Sequence, residues 1–94
     1  AVSDAAITDA KALIGKFGLG CEPASAATIA GLEVLLAEKI IRPDQTVACV
    51  LTGHCLKDPG VTVNYHKDKA GKFSNPPVEC PNNLKQIIKL MNQD

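Results

Sequence analysis

The chain has 94 residues, the size of one small domain, and a chain this short buries only roughly two-thirds of the surface that it exposes when unfolded. Hydrophobic residues make up 46% but only Phe17, Tyr65 and Phe73 are aromatic, so burial must come from closely packed Ala, Val, Ile and Leu, which suits a helix pressed against a sheet. Ten basic and ten acidic residues cancel and are scattered, which excludes the basic stripe that a nucleic acid or a membrane surface requires. No apolar run approaches the ~20 residues of a membrane span, and the N-terminus lacks the basic start and apolar run of a signal peptide. A soluble intracellular protein is expected.

Ala1-Val2-Ser3 reads as the tail of a strand, with Ser3 or Asp4 as N-cap of a helix running to about Phe17. Ile7, Ala10, Leu13, Ile14 and Phe17 recur at helical spacing and form its apolar face, while Lys11 and Lys16 point elsewhere. Gly15, Gly18 and Gly20 stop this helix, because glycine takes the positive-φ conformations that a helix C-terminus needs. A second helix starts between Pro23 and Ser25 and runs to Lys39. Its apolar residues cover most of the circumference, and Ala26, Ala27, Ala30 and Gly31 permit close approach, so burial on more than one side is expected.

Arg42-Pro43-Asp44 signals a turn, after which Thr46-Val47-Ala48-Cys49-Val50-Leu51 is a continuous apolar run of the kind found in central strands of parallel sheets. From Gly53 to Pro81 the chain is rich in Gly, Pro, Asn, Lys and Asp and reads as extended and mostly exposed, with Val61, Val63 and Tyr65 alternating as a short strand. Asn82 or Asn83 then caps a short helix whose Leu84, Ile87, Ile88 and Met91 form one docked face. A parallel strand needs parallel neighbours that this stretch does not supply. Either the fold is an unusual small helical domain, or the sheet belongs mainly to residues before Ala1.

The four cysteines, Cys21, Cys49, Cys55 and Cys80, form no CxxC, and His54 and His66 complete no familiar metal spacing. Free thiols are expected, with Cys49 behaving as a small buried hydrophobe. Two constellations could carry chemistry. In Thr52-Gly53-His54 the apolar run breaks into a polar loop, at the kind of strand end where ligands of open α/β sheets collect. Thr52 either satisfies backbone groups there or meets a ligand, and Gly53 allows a sharp turn or close backbone approach. His54 is read as orienting the turn and Lys57 as a solvated lysine. In Glu22-Pro23-Ala24-Ser25-Ala26-Ala27 the amides of a helix start could hold an anion, although Glu22 is an acid where an anion site would want none.

Gly20-Cys21-Glu22-Pro23-Ala24-Ser25-Ala26-Ala27 together with Thr52-Gly53-His54-Cys55-Leu56-Lys57-Asp58-Pro59 closely resembles the C-terminal part of the threonine synthases. The resemblance runs from about Val2 to Pro59 and more loosely through Phe73-Ser74-Asn75-Pro76-Pro77 to the last helix. It implies an α/β parent, the three-layer αβα fold type II of pyridoxal-phosphate enzymes, which is tryptophan synthase β-like. Residues 1–94 would be the C-terminal portion of its cofactor-binding domain, with 60–94 as extended tail plus short terminal helix. It implies the cofactor pyridoxal 5'-phosphate, with Thr52 bonding its pyridine nitrogen, and a carbon-oxygen lyase reaction in which O-phosphohomoserine loses phosphate and gains water at the β-carbon to give threonine. It further implies a cytoplasmic homodimer completed by the missing N-terminal part of the parent chain. The segment that supplies the cofactor-bonding lysine and the loop that cradles the cofactor phosphate are not found here, so no catalytic residue is assigned and the isolated chain is expected to be inactive. Cys55 stands where many relatives have glycine. A related serine/threonine dehydratase and a free-standing regulatory or binding module are the alternatives.

Overall fold

A computed structural model describes residues 1–92. They form four helices, α1 (Asp4–Lys16), α2 (Pro23–Ala37), α3 (Pro59–Lys67) and α4 (Leu84–Met91), and no strand. Ser3 caps α1 as expected: its hydroxyl accepts from the Ala6 amide at 3.2 Å. Of the three glycines expected to stop α1, Gly18 does so. It takes φ 80°, and the Gly18 and Leu19 amides close on the Gly15 and Ile14 carbonyls, which is the Schellman arrangement. Gly15 lies inside the helix.

The core is where α1 crosses α2. Ala10, Ile14, Cys21, Ala26 and Ala30 are its buried residues, and Val2, Ala6, Ile7, Ile29 and Leu51 pack around them. Small side chains at Ala26 and Ala30 let the helix axes come close, so this contact replaces the helix-on-sheet packing that the composition suggested. Two expectations for α1 fail. Phe17 is 76% exposed because the helix ends beneath it and turns it off the core face, whereas Lys11, expected to point away, is only 9% exposed. Its four-carbon stem lies along the apolar surface, and it lines a concavity of about 610 Å³ with Tyr65 of α3.

α2 ends in a second Schellman arrangement that the sequence does not advertise. Lys39, a residue with a Cβ, takes the left-handed conformation at φ 59°, and the Lys39 and Ile40 amides bond to the Leu36 and Leu35 carbonyls. The expected interior strand does not form. Thr46–Leu51 has no regular secondary structure and no backbone hydrogen bond to another described residue, since a strand exists only through a neighbour's ladder. Leu51 packs at the edge of the core and Cys49 is half-buried, while Val47 is 42% and Val50 72% exposed, so only the end of the run is docked. The α/β class is therefore not seen in these residues, which are a helical segment.

The expected Val61 strand is also corrected, because Pro59 and the residues after it form α3. Pro59 sits in the first turn, where its missing N–H is no loss, and Asp58 enters at φ 55°. Nor is 60–94 simply extended: the Tyr65 hydroxyl donates to Asp9 of α1 at 2.6 Å and accepts from the Phe73 amide at 3.1 Å, folding the loop back. His66 Nδ1 takes the Asn75 amide at 3.0 Å. At α4 the cap is Asn83, whose Oδ1 accepts from the Lys85 and Gln86 amides. Its apolar face is bare, with Met91 77% exposed. A radius of gyration of 15.9 Å, against ~13 Å for a compact chain of about 100 residues, expresses the same incomplete packing.

The α1–α2 crossing predicts opposite outcomes at adjacent residues. Ala30→Leu should lower stability by about 1–3 kcal/mol through overpacking. A Cβ at Gly31 meets nothing within 4 Å, so Gly31→Ala should raise stability by about 0.5–1 kcal/mol. Urea unfolding midpoints of the two variants check both signs.

Candidate functional site

Both motifs singled out in the sequence, about 30 residues apart, meet in space. Glu22 is the N-cap of α2, but its carboxylate does not cap the helix. Instead its Oε2 pairs with Lys57 Nζ at 2.8 Å, and its backbone amide donates to the Gly53 carbonyl at 3.0 Å. One turn further along α2, the Ser25 Oγ accepts from the amides of Thr52 (3.1 Å) and Gly53 (3.2 Å) and lies 3.3 Å from Thr52 Oγ1. The start of α2 is thus stitched to the end of the apolar run by three bonds to the Thr52-Gly53 backbone.

Glycine at 53 is required by closeness. A Cβ there would overlap the Glu22 side chain, so any larger residue displaces the carboxylate from Lys57. Gly20 is similar, since its Cβ would stand 2.8 Å from the Cys55 Cβ and 2.9 Å from its Sγ. Cys55 is therefore packed against the strand of chain entering α2. Sequence reasoning left Glu22 as an acid out of place near an anion site. The structure pairs it instead, leaving Glu22 side-chain atoms 11% exposed beneath a largely exposed Lys57.

Thr52 is exposed as a residue, and its hydroxyl lies against that of the buried Ser25. His54 Nδ1 accepts the Leu56 amide at 3.1 Å, so this histidine braces the turn. Lys57 has its pKa raised by the hydrogen bond and charge of Glu22, which keeps it protonated at neutral pH. Cys21 has its thiol pKa raised chiefly by burial, partly offset by Lys11. Burial, then the bond to Asp9, raises that of Tyr65. All four cysteines are free, and no group of three or more His, Cys, Asp or Glu among the described residues is placed to hold a metal ion. No helix among those residues is long and apolar enough to cross a membrane.

Comparison with known proteins fits this geometry. Over 93 residues the chain is 45% identical to the threonine synthase of Methanocaldococcus jannaschii, an alignment covering 95% of this chain and 21% of that protein. The chain is homologous to a segment of threonine synthase. The threonine synthase of Synechocystis sp. is 40% identical over 79 residues, covering 83% of this chain and 20% of that protein. That of Halalkalibacterium halodurans is 45% identical over 64 residues, covering 67% and 18%. The chain thus spans about a fifth of the length of these threonine synthases, within their C-terminal part. No family model matches it, and no solved structure does.

Sequence reasoning located both motifs but not their contact, because nothing in either string says that Ser25 will reach Thr52. Small residues flanking Ser25 were the available signal, since only a closely packed helix start brings its third residue to a neighbouring backbone.

Burial predicts the order of thiol reactivity: exposed Cys80 should alkylate first and Cys21 last, as read by mass spectrometry on the native chain. A raised folded-state pKa means that the protonated thiol of Cys21 contributes stability fully below the unfolded value of about 8.5, and that this is lost as pH climbs through the folded value. Lys57 and Tyr65 act with the same sign, but only above about pH 10. The melting temperature should therefore begin to fall just above about pH 8.5, and Cys21→Ala should flatten that first part of the decline.

Proposed function

We propose that this chain is the cofactor-facing C-terminal segment of a threonine synthase, an enzyme converting O-phosphohomoserine and water to threonine and phosphate with pyridoxal phosphate. The observation that carries the reading is an exposed Thr52 at a turn braced by Ser25, in a segment 45% identical to a threonine synthase. The residues present fit one part of the cofactor. Thr52 offers a neutral hydroxyl for the pyridine nitrogen, and the exposed Val50 and Leu56 beside it give the apolar surroundings that a flat aromatic ring favours.

Pyridoxal phosphate, when bound, draws electrons from the bonds at the substrate's α-carbon. Thr52 sets how strongly. A carboxylate at this position would hold the ring nitrogen protonated and make the pull strongest, whereas a hydroxyl leaves the nitrogen neutral. Milder withdrawal suits elimination of phosphate and addition of water. Glu22, although acidic and only a turn away, is neutralised by Lys57 and bonded to the Gly53 backbone, so it supports the turn and does not compete for the nitrogen.

Three-layer αβα packing of fold type II belongs to the same reading. In it Thr46–Leu51 becomes an interior strand once neighbours contributed by the rest of the polypeptide pair with it, and the bare faces of Val50 and α4 are covered. A homodimer in the cytoplasm is the assembly and location that go with this enzyme class. Relatives carrying the name threonine synthase favour this reaction over that of a serine/threonine dehydratase.

On this reading the 94-residue chain by itself neither retains pyridoxal phosphate nor releases phosphate from O-phosphohomoserine, while the full-length protein does both. Phosphate release and threonine formation measured on the two proteins test it, and a full-length protein inert toward O-phosphohomoserine would sink it. Thr52→Ala should weaken cofactor retention roughly two- to twelve-fold, the worth of one neutral hydrogen bond, and Thr52→Ser should largely restore it. Thr52→Asp should instead change the partition of products by protonating the ring nitrogen. Unchanged affinity in Thr52→Ala, with only a lowered melting temperature, would remove Thr52 from the site.

A further inference from the structure

Lys11 and Glu22 are the two charged residues buried among those described, at 9% and 8% exposure. Glu22 is paired with Lys57, but Lys11 belongs to neither of the two ion pairs among the described residues. Burying an ammonium group without a counter-charge is costly, so such a lysine calls for an anion from elsewhere. Asp9 does not serve. Residues two apart on a helix do not face each other, and the Asp9 carboxylate accepts instead from the Tyr65 hydroxyl.

Lys11 lines the concavity of about 610 Å³ whose walls are α1, α3 and the loop that follows α3. That volume suits a small molecule. Lys16, Lys72 and His66 line it as well, and no Asp or Glu among the described residues does, in a chain whose charges otherwise cancel. His66 Nδ1 accepts the Asn75 amide, so Nε2 is left to carry the ring proton and donate. Lys72 is steadied by the Phe73 ring, with its Nζ 5.1 Å from the ring centre. Thr62, on the α3 wall, has a fully buried Oγ1 with no hydrogen-bond partner. No other side-chain nitrogen or oxygen among the described residues is both fully buried and unpartnered, so the Lys11 ammonium keeps its access through the concavity that it lines.

We propose that this concavity binds a small molecule bearing a phosphate group, with Lys11 as the buried counter-charge and the exposed Lys16 and Lys72 at the mouth. A phosphate monoester carries about −1.5 to −2 charges at pH 7, and ammonium groups meet it as point charges from several directions, without the paired geometry of a guanidinium. A single carboxylate would leave most of the lysine charge unmatched. Of the turn from Thr52 to Lys57 only Cys55 lines the concavity, so binding here does not depend on what Thr52 holds.

Lysine footprinting of the full-length protein tests this, with acetylation by an N-hydroxysuccinimide ester read residue by residue in a mass spectrometer and inorganic phosphate as the probe. Raising phosphate at constant ionic strength, made up with chloride, should slow acetylation of Lys11 saturably, roughly ten-fold at ten times the dissociation constant. Lys16 and Lys72 should slow with it, while Lys85 and Lys89 of α4 keep their rates. Lys11→Gln should abolish the protection of Lys16 and Lys72. Should that variant fail to fold, Lys72→Gln, at an exposed position, should weaken the protection of Lys11. Protection that chloride gives equally, that does not saturate, or that spares Lys11 would overturn the site, as would protection unchanged in Lys11→Gln or Lys72→Gln. A Lys11 that stays unreactive with or without phosphate would also overturn it, since the rest of the polypeptide would then supply the counter-charge. Each of these outcomes leaves the reading of Thr52 standing, because cofactor retention is measured separately.

Discussion

The bond pair from the Ser25 hydroxyl to the amides of Thr52 and Gly53 is the constraint around which the rest of the segment is arranged. For Ser25 to reach that backbone, α2 must begin directly beside the end of the apolar run. That is possible only because Gly20 and Gly53 carry no Cβ and because Ala26 and Ala30 let α2 lie close on α1. Glu22 then has no room to cap its own helix and turns to Lys57, and Leu51 is drawn into the core edge. A buried hydroxyl with both lone pairs filled is a strong specifier, since losing its partners would leave two amides and an oxygen unpaired in a place that water reaches poorly.

Much of the helical part is legible in the sequence, for local reasons. Ser3, Gly18, Pro23 and Asn83 are end signals that act within a turn of themselves, and each is found within two residues of the helix end that it marks. What was not legible depends on distant partners. The run from Thr46 to Leu51 has the composition of a central strand but no neighbouring strand among the described residues. α3 was hidden because Val61, Val63 and Tyr65 also fit a period of two, and because Asp58 enters the helix from a left-handed conformation that is costly outside glycine, asparagine and aspartate. Lys11 was placed on the wrong side because a lysine is judged by its charge, whereas its stem packs as a hydrocarbon.

The candidate site was legible as two strings and illegible as an arrangement. Thr52 and Gly53 stood out because an apolar run stopped at them, and Glu22 to Ala27 because a proline and a serine opened a helix. Their contact is a tertiary event, and so are the pairing that disposes of the Glu22 charge and the packing of Cys55 on Gly20. Cys55 needs no positive φ, since the positive-φ residue of the turn region is Asp58, and it is accommodated by the absence of a side chain at Gly20.

Exposure divides the segment in two. Residues at the Ser25 junction are hydrogen-bonded, while large apolar side chains, Val50, Leu56 and Met91 among them, are left bare. The bracing itself needs only the backbone amides of Thr52 and Gly53, so the Thr52 hydroxyl is not what holds the turn together. An exposed hydroxyl at a turn contributes little to folding, yet here it is carried on a backbone held from beneath by a buried serine. A rigid backbone behind an exposed polar group is what a hydrogen-bonding site for an external group requires.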